Sequence, residues 1–140
     1  PDLDGIWCPW TDQPGLGAIN AAESLGYTSE DLAIVSINPG GEPGAAKLVN
    51  PNSPFIGATC PLWWDLGIAS AKQAVHALTG RDYPLYTEVG PTFPVTRRNL
   101  EYTWGVAYHE EIPESIRAAL PQQMEMPEWP FTDYLEQSGY

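Results

Sequence analysis

The clearest structural pattern in the chain is LAIVSI at residues 32–37, followed at once by NPGG at residues 38–41. A run of apolar residues at consecutive positions is typical of a strand in a parallel sheet whose two faces are both covered. The proline and the two glycines then end the strand and begin a loop. This stretch therefore predicts an α/β fold built on a parallel sheet.

Two similar runs stand on either side of it, DGIWC at residues 4–8 and FIGATC at residues 55–60. Each run is followed by a loop of small, polar and aromatic residues. In an open parallel sheet the carboxyl ends of the strands lie along one edge, and ligands bind at that edge. The three loops are therefore predicted to form a binding site for a small molecule.

The segments between these runs have helical patterns. A helix is predicted over residues 13–25, capped by Thr11 or Asp12, with Gly17 allowing it to lie close to the sheet. A short helix is predicted near residues 44–49. The strongest amphipathic stripe follows the third run and consists of Trp64, Ile68, Ala71, Val75 and Leu78. Such connections form right-handed crossovers between parallel strands.

Beyond residue 80 the pattern weakens. The sequence predicts one more strand over residues 83–89, a turn over residues 95–99 that leads into a short helical segment, and a short helix over residues 113–120. We divide the chain into a partial ligand-binding lobe, residues 1–104, and a proline-rich acidic tail, residues 105–140, which is expected to wrap the surface. The predicted fold class is α/β, a three-layer open parallel sheet with an irregular tail.

Composition limits the partners of this chain. Its 140 residues make about one domain. Six Lys and Arg against 18 Asp and Glu give a net charge of −12. A chain this acidic repels phosphate backbones and anionic membranes, which excludes nucleic acid as the main partner. Arg97 and Arg98 are predicted to be solvent-exposed, with contact to an anionic ligand as the less favoured alternative.

The two cysteines, Cys8 and Cys60, fall at the ends of predicted strands. Two cysteines do not make a disulfide framework, and a metal site needs more ligands at closer spacing. Both are therefore predicted to be buried small apolar residues, and no metal or cofactor is predicted. The chain has no apolar run of about 18 residues and no signal-peptide pattern, and its abrupt start at Pro1 leads us to expect a fragment of a longer protein.

Motifs for catalysis have little support. The pair Gly40-Gly41 lacks the G-x-G-x-x-G spacing of a dinucleotide loop, and His76 has no evident partners for a triad. His109 lacks a second histidine at the helical spacing of a zinc site. We therefore predict a binding protein and not an enzyme, with an α/β enzyme as a less favoured alternative.

Four stretches carry a family pattern: PDLDGIWC at residues 1–8, LGAINAA at residues 16–22, AT at residues 58–59 with the helix that closes at LTG, residues 78–80, and VTRRN at residues 95–99. In this order and spacing they resemble the second lobe of the type 1 periplasmic binding proteins, the sugar-type solute receptors of ABC transporters. The effector domains of LacI-type repressors share this lobe.

The resemblance implies a solute-binding component of an ABC importer that lacks its first lobe and the opening strands of its second. The ligand would be a small neutral molecule such as a sugar or polyol, the partner a membrane permease, and the location periplasmic or extracellular. The helix over residues 63–79 would pack on the missing lobe, so its apolar stripe is a candidate site of self-association. The effector domain of a LacI-type transcription regulator is the alternative.

The resemblance also implies ligand contacts at the three strand ends. Family members often hold a sugar hydroxyl with Asn or Asp after the first strand, where this chain has Asp12 beside Trp10 and Thr11. After the second strand Asn38 stands where Asp is common, and after the third Leu62 stands where Gln is common. Asp12 can instead be a helix cap and Asn38 a turn residue, and Leu62 removes a polar contact.

Indole rings are predicted to compensate for that lost contact. Trp10, Trp63 and Trp64 can stack on a sugar face or on a flatter ligand, because aromatic faces give a large contact area. Core packing is the alternative. We favour ligand contact for Trp10 and core packing for Trp64, and Trp7, inside the first strand, is predicted to lie in the core.

Overall fold

The computed structural model describes residues 3–61, 63–82 and 92–121. These residues form four strands, which are β1 (Gly5–Cys8), β2 (Ala33–Ile37), β3 (Phe55–Cys60) and β4 (Phe93–Val95). The α-helices of the same ranges are α1 (Leu16–Ser24), α2 (Gly41–Val49), α3 (Trp63–Leu78), α4 (Leu100–Tyr108) and α5 (Glu114–Arg117). A π-helical turn, Thr11–Gly15, leads directly into α1.

The strands form one open sheet in the order β1-β2-β3-β4. Strands β1, β2 and β3 are parallel, as the three apolar runs predict, and β4 is antiparallel to β3. The sequence pattern does not predict β4, because Pro94 lies in its middle; a proline is tolerated in a strand at a sheet edge. The strand predicted over residues 83–89 lies outside the described residues.

The core lies on one face of this sheet. A row of buried side chains crosses the strands from Cys8 through Ser36 and Ala58 to Val95. Helices α1, α2, α4 and α5 contribute apolar side chains to one cluster with this row. Right-handed crossovers between strands in sequential order place their helices on the same face, which explains why α1 and α2 share a side.

Apolar side chains on the opposite face of the described sheet are open to solvent. Trp7, Val35 and Ile56 are 64%, 37% and 44% exposed. The prediction that Trp7 lies in the core is therefore wrong. A run of apolar residues shows that both sides of a strand are apolar, but it does not show which side the described helices cover.

The helix after β1 begins differently from the prediction. No side chain caps the π-helical turn or α1. The Thr11 hydroxyl donates instead to the carbonyl oxygens of Ile37 and Asn38, and Asp12 is exposed in the first turn. The predicted capping role of Thr11 or Asp12 is therefore wrong, because the Thr11 hydroxyl is used to join two loops.

Close approach of a helix to the loops occurs in α2 and not in α1. A Cβ atom at Gly17 would meet nothing within 4 Å, so the predicted role of Gly17 is wrong. A Cβ atom at Gly44 would overlap the carbonyl oxygen of Pro39 and would lie 3.0 Å from Thr11 Cγ2. The glycine that a close contact requires is therefore Gly44, under the loop after β2.

Helix α3 packs little against the rest of the described chain. None of its residues is buried, and Trp64, Val75 and Leu78 of the predicted stripe are 56%, 54% and 87% exposed. Core packing of Trp64 is therefore wrong. The chain turns after the helix at Gly80, whose φ of +66° is in the left-handed region that glycine adopts readily. Self-association through this helix stays a prediction.

The part of the chain after β4 adds to the core. Helix α4 runs through residues 104 and 105, where we place the boundary between lobe and tail. Beyond that point Ile112 and Ile116 are buried in the core cluster. Helix α5 begins directly after Pro113, within the predicted short helix. The division into a lobe and a tail stays a prediction.

Candidate functional site

The loops after β1, β2 and β3 lie at one edge of the sheet and are joined by hydrogen bonds. Thr11, fully buried after β1, donates its hydroxyl to the carbonyl oxygens of Ile37, at 3.4 Å, and of Asn38. The backbone N–H of Asn38 donates to the Thr59 carbonyl oxygen at 2.6 Å, which joins the second loop to the end of β3. The first two loops and the end of β3 are therefore connected at this edge.

Asn38 shapes the loop after β2. Its φ of +68° is in the left-handed region, which asparagine tolerates better than most residues. Its Oδ1 accepts hydrogen bonds from the Gly40 N–H at 3.1 Å and from the Tyr108 hydroxyl at 2.9 Å. Asn38 therefore acts as a turn residue. Within the described ranges no hydrogen bond uses its Nδ2, which leaves that donor for another group.

Aromatic rings crowd the same edge. The rings of Trp10 and Trp63 meet edge to face, with centroids 5.5 Å apart and planes at 63°. The rings of Trp64 and His109 make a second such contact, with centroids 5.2 Å apart. We call these four residues the aromatic rim. Trp10 and Trp64 are 39% and 56% exposed, so the rim offers aromatic surface to a ligand.

Helix α4 brings two further aromatic residues to this edge. The rings of Trp104 and Tyr108 pack with centroids 4.5 Å apart. Trp104 is only 6% exposed, and its indole Nε1 has no hydrogen-bond acceptor among the described residues. A buried donor without a partner costs about 1–3 kcal/mol.

Burial raises the pKa values of Tyr108, Cys60 and Cys8 near this edge. It raises the pKa of Tyr108 to about 12, with smaller contributions from Cys60 and Asp12. Burial also raises the pKa of Cys60 to about 12 and raises the pKa of Cys8. Tyr108 therefore stays protonated at neutral pH, and its hydroxyl donates a hydrogen bond to Asn38 Oδ1. The cysteines are free and buried, as predicted, and are not nucleophilic thiolates.

The structure places the predicted contacts unequally. Trp10, Thr11, Asp12, Asn38, Trp63 and Trp64 all stand at or beside the three strand ends, with Thr11 and Asn38 buried and Asp12 exposed. Leu62 lies outside the described residues. Trp104, Tyr108 and His109 were not expected at this site, since they follow the last stretch of the family pattern. The spacing of Trp104 and Tyr108 by one helical turn is the signal that could have indicated them.

Neither a metal site nor a membrane-spanning helix is found within residues 3–61, 63–82 and 92–121. No group of three or more His, Cys, Asp or Glu side chains there could hold a metal ion. No helix in these ranges has the length and apolar character needed to cross a membrane.

No protein-family model and no curated protein matches this chain. Solved structures do. The chain is similar to an ABC sugar transporter subunit from Rhodobacter sphaeroides 2.4.1, with a TM-score of 0.54 and 24% sequence identity over 68% of this chain and 32% of the other. A second similar structure is the TorS sensor domain–TorT complex in the absence of ligand, with a TM-score of 0.46 and 17% identity over 90% of this chain and 35% of the other.

The chain therefore spans about a third of the length of each of these structures, at 32% and 35%. The similarity to the transporter subunit concerns the fold, because the sequence identity is only 24%. It agrees with the resemblance that the four stretches carry. The open α/β sheet of this chain is the fold of part of one lobe of a type 1 periplasmic binding protein.

Proposed function

We propose that this chain is the ligand-binding part of a solute-binding component of an ABC importer, and that it binds a small neutral molecule such as a sugar or polyol. The observation that supports this most directly is the aromatic rim at the same edge as Asn38, whose Nδ2 no described residue uses. The proposed ligand contacts are Trp10, Thr11, Asp12, Asn38, Leu62, Trp63 and Trp64.

Each group at this edge has a distinct part in the proposal. Trp10 and Trp63 supply an apolar face for the ligand ring, which gives contact area with little loss of side-chain freedom. Asn38 donates from Nδ2, and the exposed carboxylate of Asp12 accepts from a ligand hydroxyl. Thr11 holds the first two loops together. Asp12 is the one charged side chain among these contacts, and its carboxylate disfavours an anionic ligand.

Binding would proceed by closure of two lobes on one ligand. The ligand bridges the lobes and shifts an open population toward a closed one. This chain supplies one side of the site, so it is expected to bind weakly alone. The transport role would require a membrane permease as partner and a periplasmic or extracellular location. The raised pKa values of Cys8 and Cys60 agree with a role without catalysis.

Isothermal titration calorimetry with a panel of sugars, polyols and other neutral solutes tests the proposal. Replacing Trp10 or Asn38 with alanine is expected to remove the binding heat, because each change removes a proposed contact. Trp7→Ala is the matched control, since Trp7 is a more exposed indole on the open face of the sheet. The proposal fails if Trp10→Ala binds the solute as the unchanged chain does.

A further inference from the structure

A pocket lies at the other edge of the sheet, away from the aromatic rim. It has a volume of about 400 Å³ and lies where β3 begins and β4 ends. Asn50 and Ser53 line it from the loop between α2 and β3. Arg97 and Arg98 line it from the turn between β4 and α4. Ser29 lines it from the connection between α1 and β2, so the pocket is built from three connections that the neutral-ligand site does not use.

The charge of this pocket is opposite to that of the chain. The whole sequence has six Lys and Arg against 18 Asp and Glu, yet two of the six basic residues line the pocket. No carboxylate is among its described lining residues. Helix α4 begins at Leu100, just after the two arginines, so its positive end adds to the local potential. The half-buried Arg97 therefore gives this pocket a local positive charge, which favours a bound anion over a bound cation.

Glu23, whose carboxylate accepts a hydrogen bond from the pocket residue Ser53, is already engaged. Glu23 accepts from Ser53 Oγ at 2.9 Å and forms an ion pair with Lys47 at 2.5 Å. Arg97 is half-buried and forms no ion pair with any residue of the described ranges. A guanidinium presents a planar fork of N–H donors that fits the oxygens of a phosphate or carboxylate.

The floor of the pocket is apolar. Leu48 and Phe55 are 2% and 1% exposed and form its base, and Ile56 is 44% exposed at its side. We propose that this pocket binds a small organic anion, with Arg97 holding the phosphate or carboxylate and Ile56 contacting an apolar group. This site is separate from the proposed neutral-ligand site, so either can fail alone.

The test uses the intact 140-residue chain, ¹⁵N-labelled, with phenyl phosphate, benzoate and inorganic phosphate as probes in NMR titrations. Saturable shifts are expected for residues 50–56 and 96–98 with phenyl phosphate, benzoate or both, and these two arms show which anionic group is preferred. Arg97→Gln is expected to weaken this binding about tenfold or more, since it removes a charge-assisted pair. Arg81→Gln is the matched control, because it removes the same charge at an exposed position after α3.

A second variant tests the apolar part without altering the buried core. Ile56→Ser is expected to weaken phenyl phosphate or benzoate while leaving the weaker binding of inorganic phosphate unchanged. The inference is overturned if no probe gives saturable shifts in residues 50–56 and 96–98. It is also overturned if Arg81→Gln weakens binding as much as Arg97→Gln, because the effect would then be one of overall charge.

Discussion

Replacing Gly44 with alanine tests whether α2 must lie tightly under the loop after β2. The added Cβ atom would overlap the Pro39 carbonyl oxygen and would lie 2.9 Å from the Pro39 carbonyl carbon and 3.0 Å from Thr11 Cγ2. Two of these atoms belong to backbone, which cannot turn away as a flexible side chain can. Either α2 or the loop after β2 would therefore have to move.

The magnitude follows from two opposing effects. Alanine in place of glycine inside a helix stabilises it by about 1 kcal/mol. Overpacking of a tight contact costs about 1–3 kcal/mol, and an overlap with fixed backbone belongs at the upper end or beyond. We therefore expect Gly44→Ala to lower the free energy of unfolding by roughly 2 kcal/mol, a large part of the stability of a small domain.

Urea unfolding followed by circular dichroism measures this change, with the denaturant slope checked for constancy. Gly17→Ala is the matched control, because Gly17 also lies in a nine-residue helix and a Cβ atom there meets nothing within 4 Å. That variant is expected to raise the free energy of unfolding by about 0.5–1 kcal/mol. The reasoning is refuted if Gly44→Ala is as stable as the unchanged chain.

Three further predictions concern the titratable and polar groups of the site. Burial raises the pKa of Cys60 from 9.0 and of Tyr108 from 10.0, each to about 12, so the folded chain keeps protons that the unfolded chain loses. The free energy of unfolding should hold its full value below pH 9 and fall as the pH rises from about 9 to about 12. Urea unfolding measured across this pH range should show a smaller fall for the double variant Cys60→Ser, Tyr108→Phe. The same fall in the variant and in the unchanged chain would contradict the prediction. Tyr108→Phe alone should cost about 1 kcal/mol of unfolding free energy at neutral pH, since it removes the hydrogen bond to Asn38 Oδ1, and equal urea midpoints would count against that bond. A thiol reagent at pH 8 should label Cys8 and Cys60 only after unfolding, because both are buried, and rapid labelling of the folded chain would show that they are accessible.

The parallel part of the sheet could be predicted from the sequence because each strand has a continuous apolar run followed by a loop. The same runs could not indicate which face the helices of the described chain cover, and Trp7 is exposed for this reason. Strand β4 escaped prediction because Pro94 usually interrupts a strand, and here it lies at an edge. The local pattern of each strand was therefore informative, and the packing of strands against distant elements was not.

In the candidate site, too, the local sequence pattern was informative and the contacts between distant elements were not predictable. The strand ends indicated where Trp10, Thr11 and Asn38 lie, since the edge of a parallel sheet follows from the strands alone. Tyr108 follows Asn38 by 70 positions, and their hydrogen bond depends on the way α4 packs. No local pattern relates two such residues. The role of Thr11 was also not predictable, because a threonine before a helix usually caps it.

The hydrogen bonds that join the first two loops to the end of β3 divide this edge into residues that hold the loops in place and residues that can vary. Thr11 and the backbone of Asn38 set the spacing of the loops, so changes there are expected to disturb all contacts of the proposed site at once. Trp10 and Trp64 stand partly exposed outside this framework, and exchanging them should alter selectivity among solutes while the loops keep their shape. A library of variants intended to bind other solutes would therefore vary Trp10 and Trp64 and keep Thr11 and Asn38 constant.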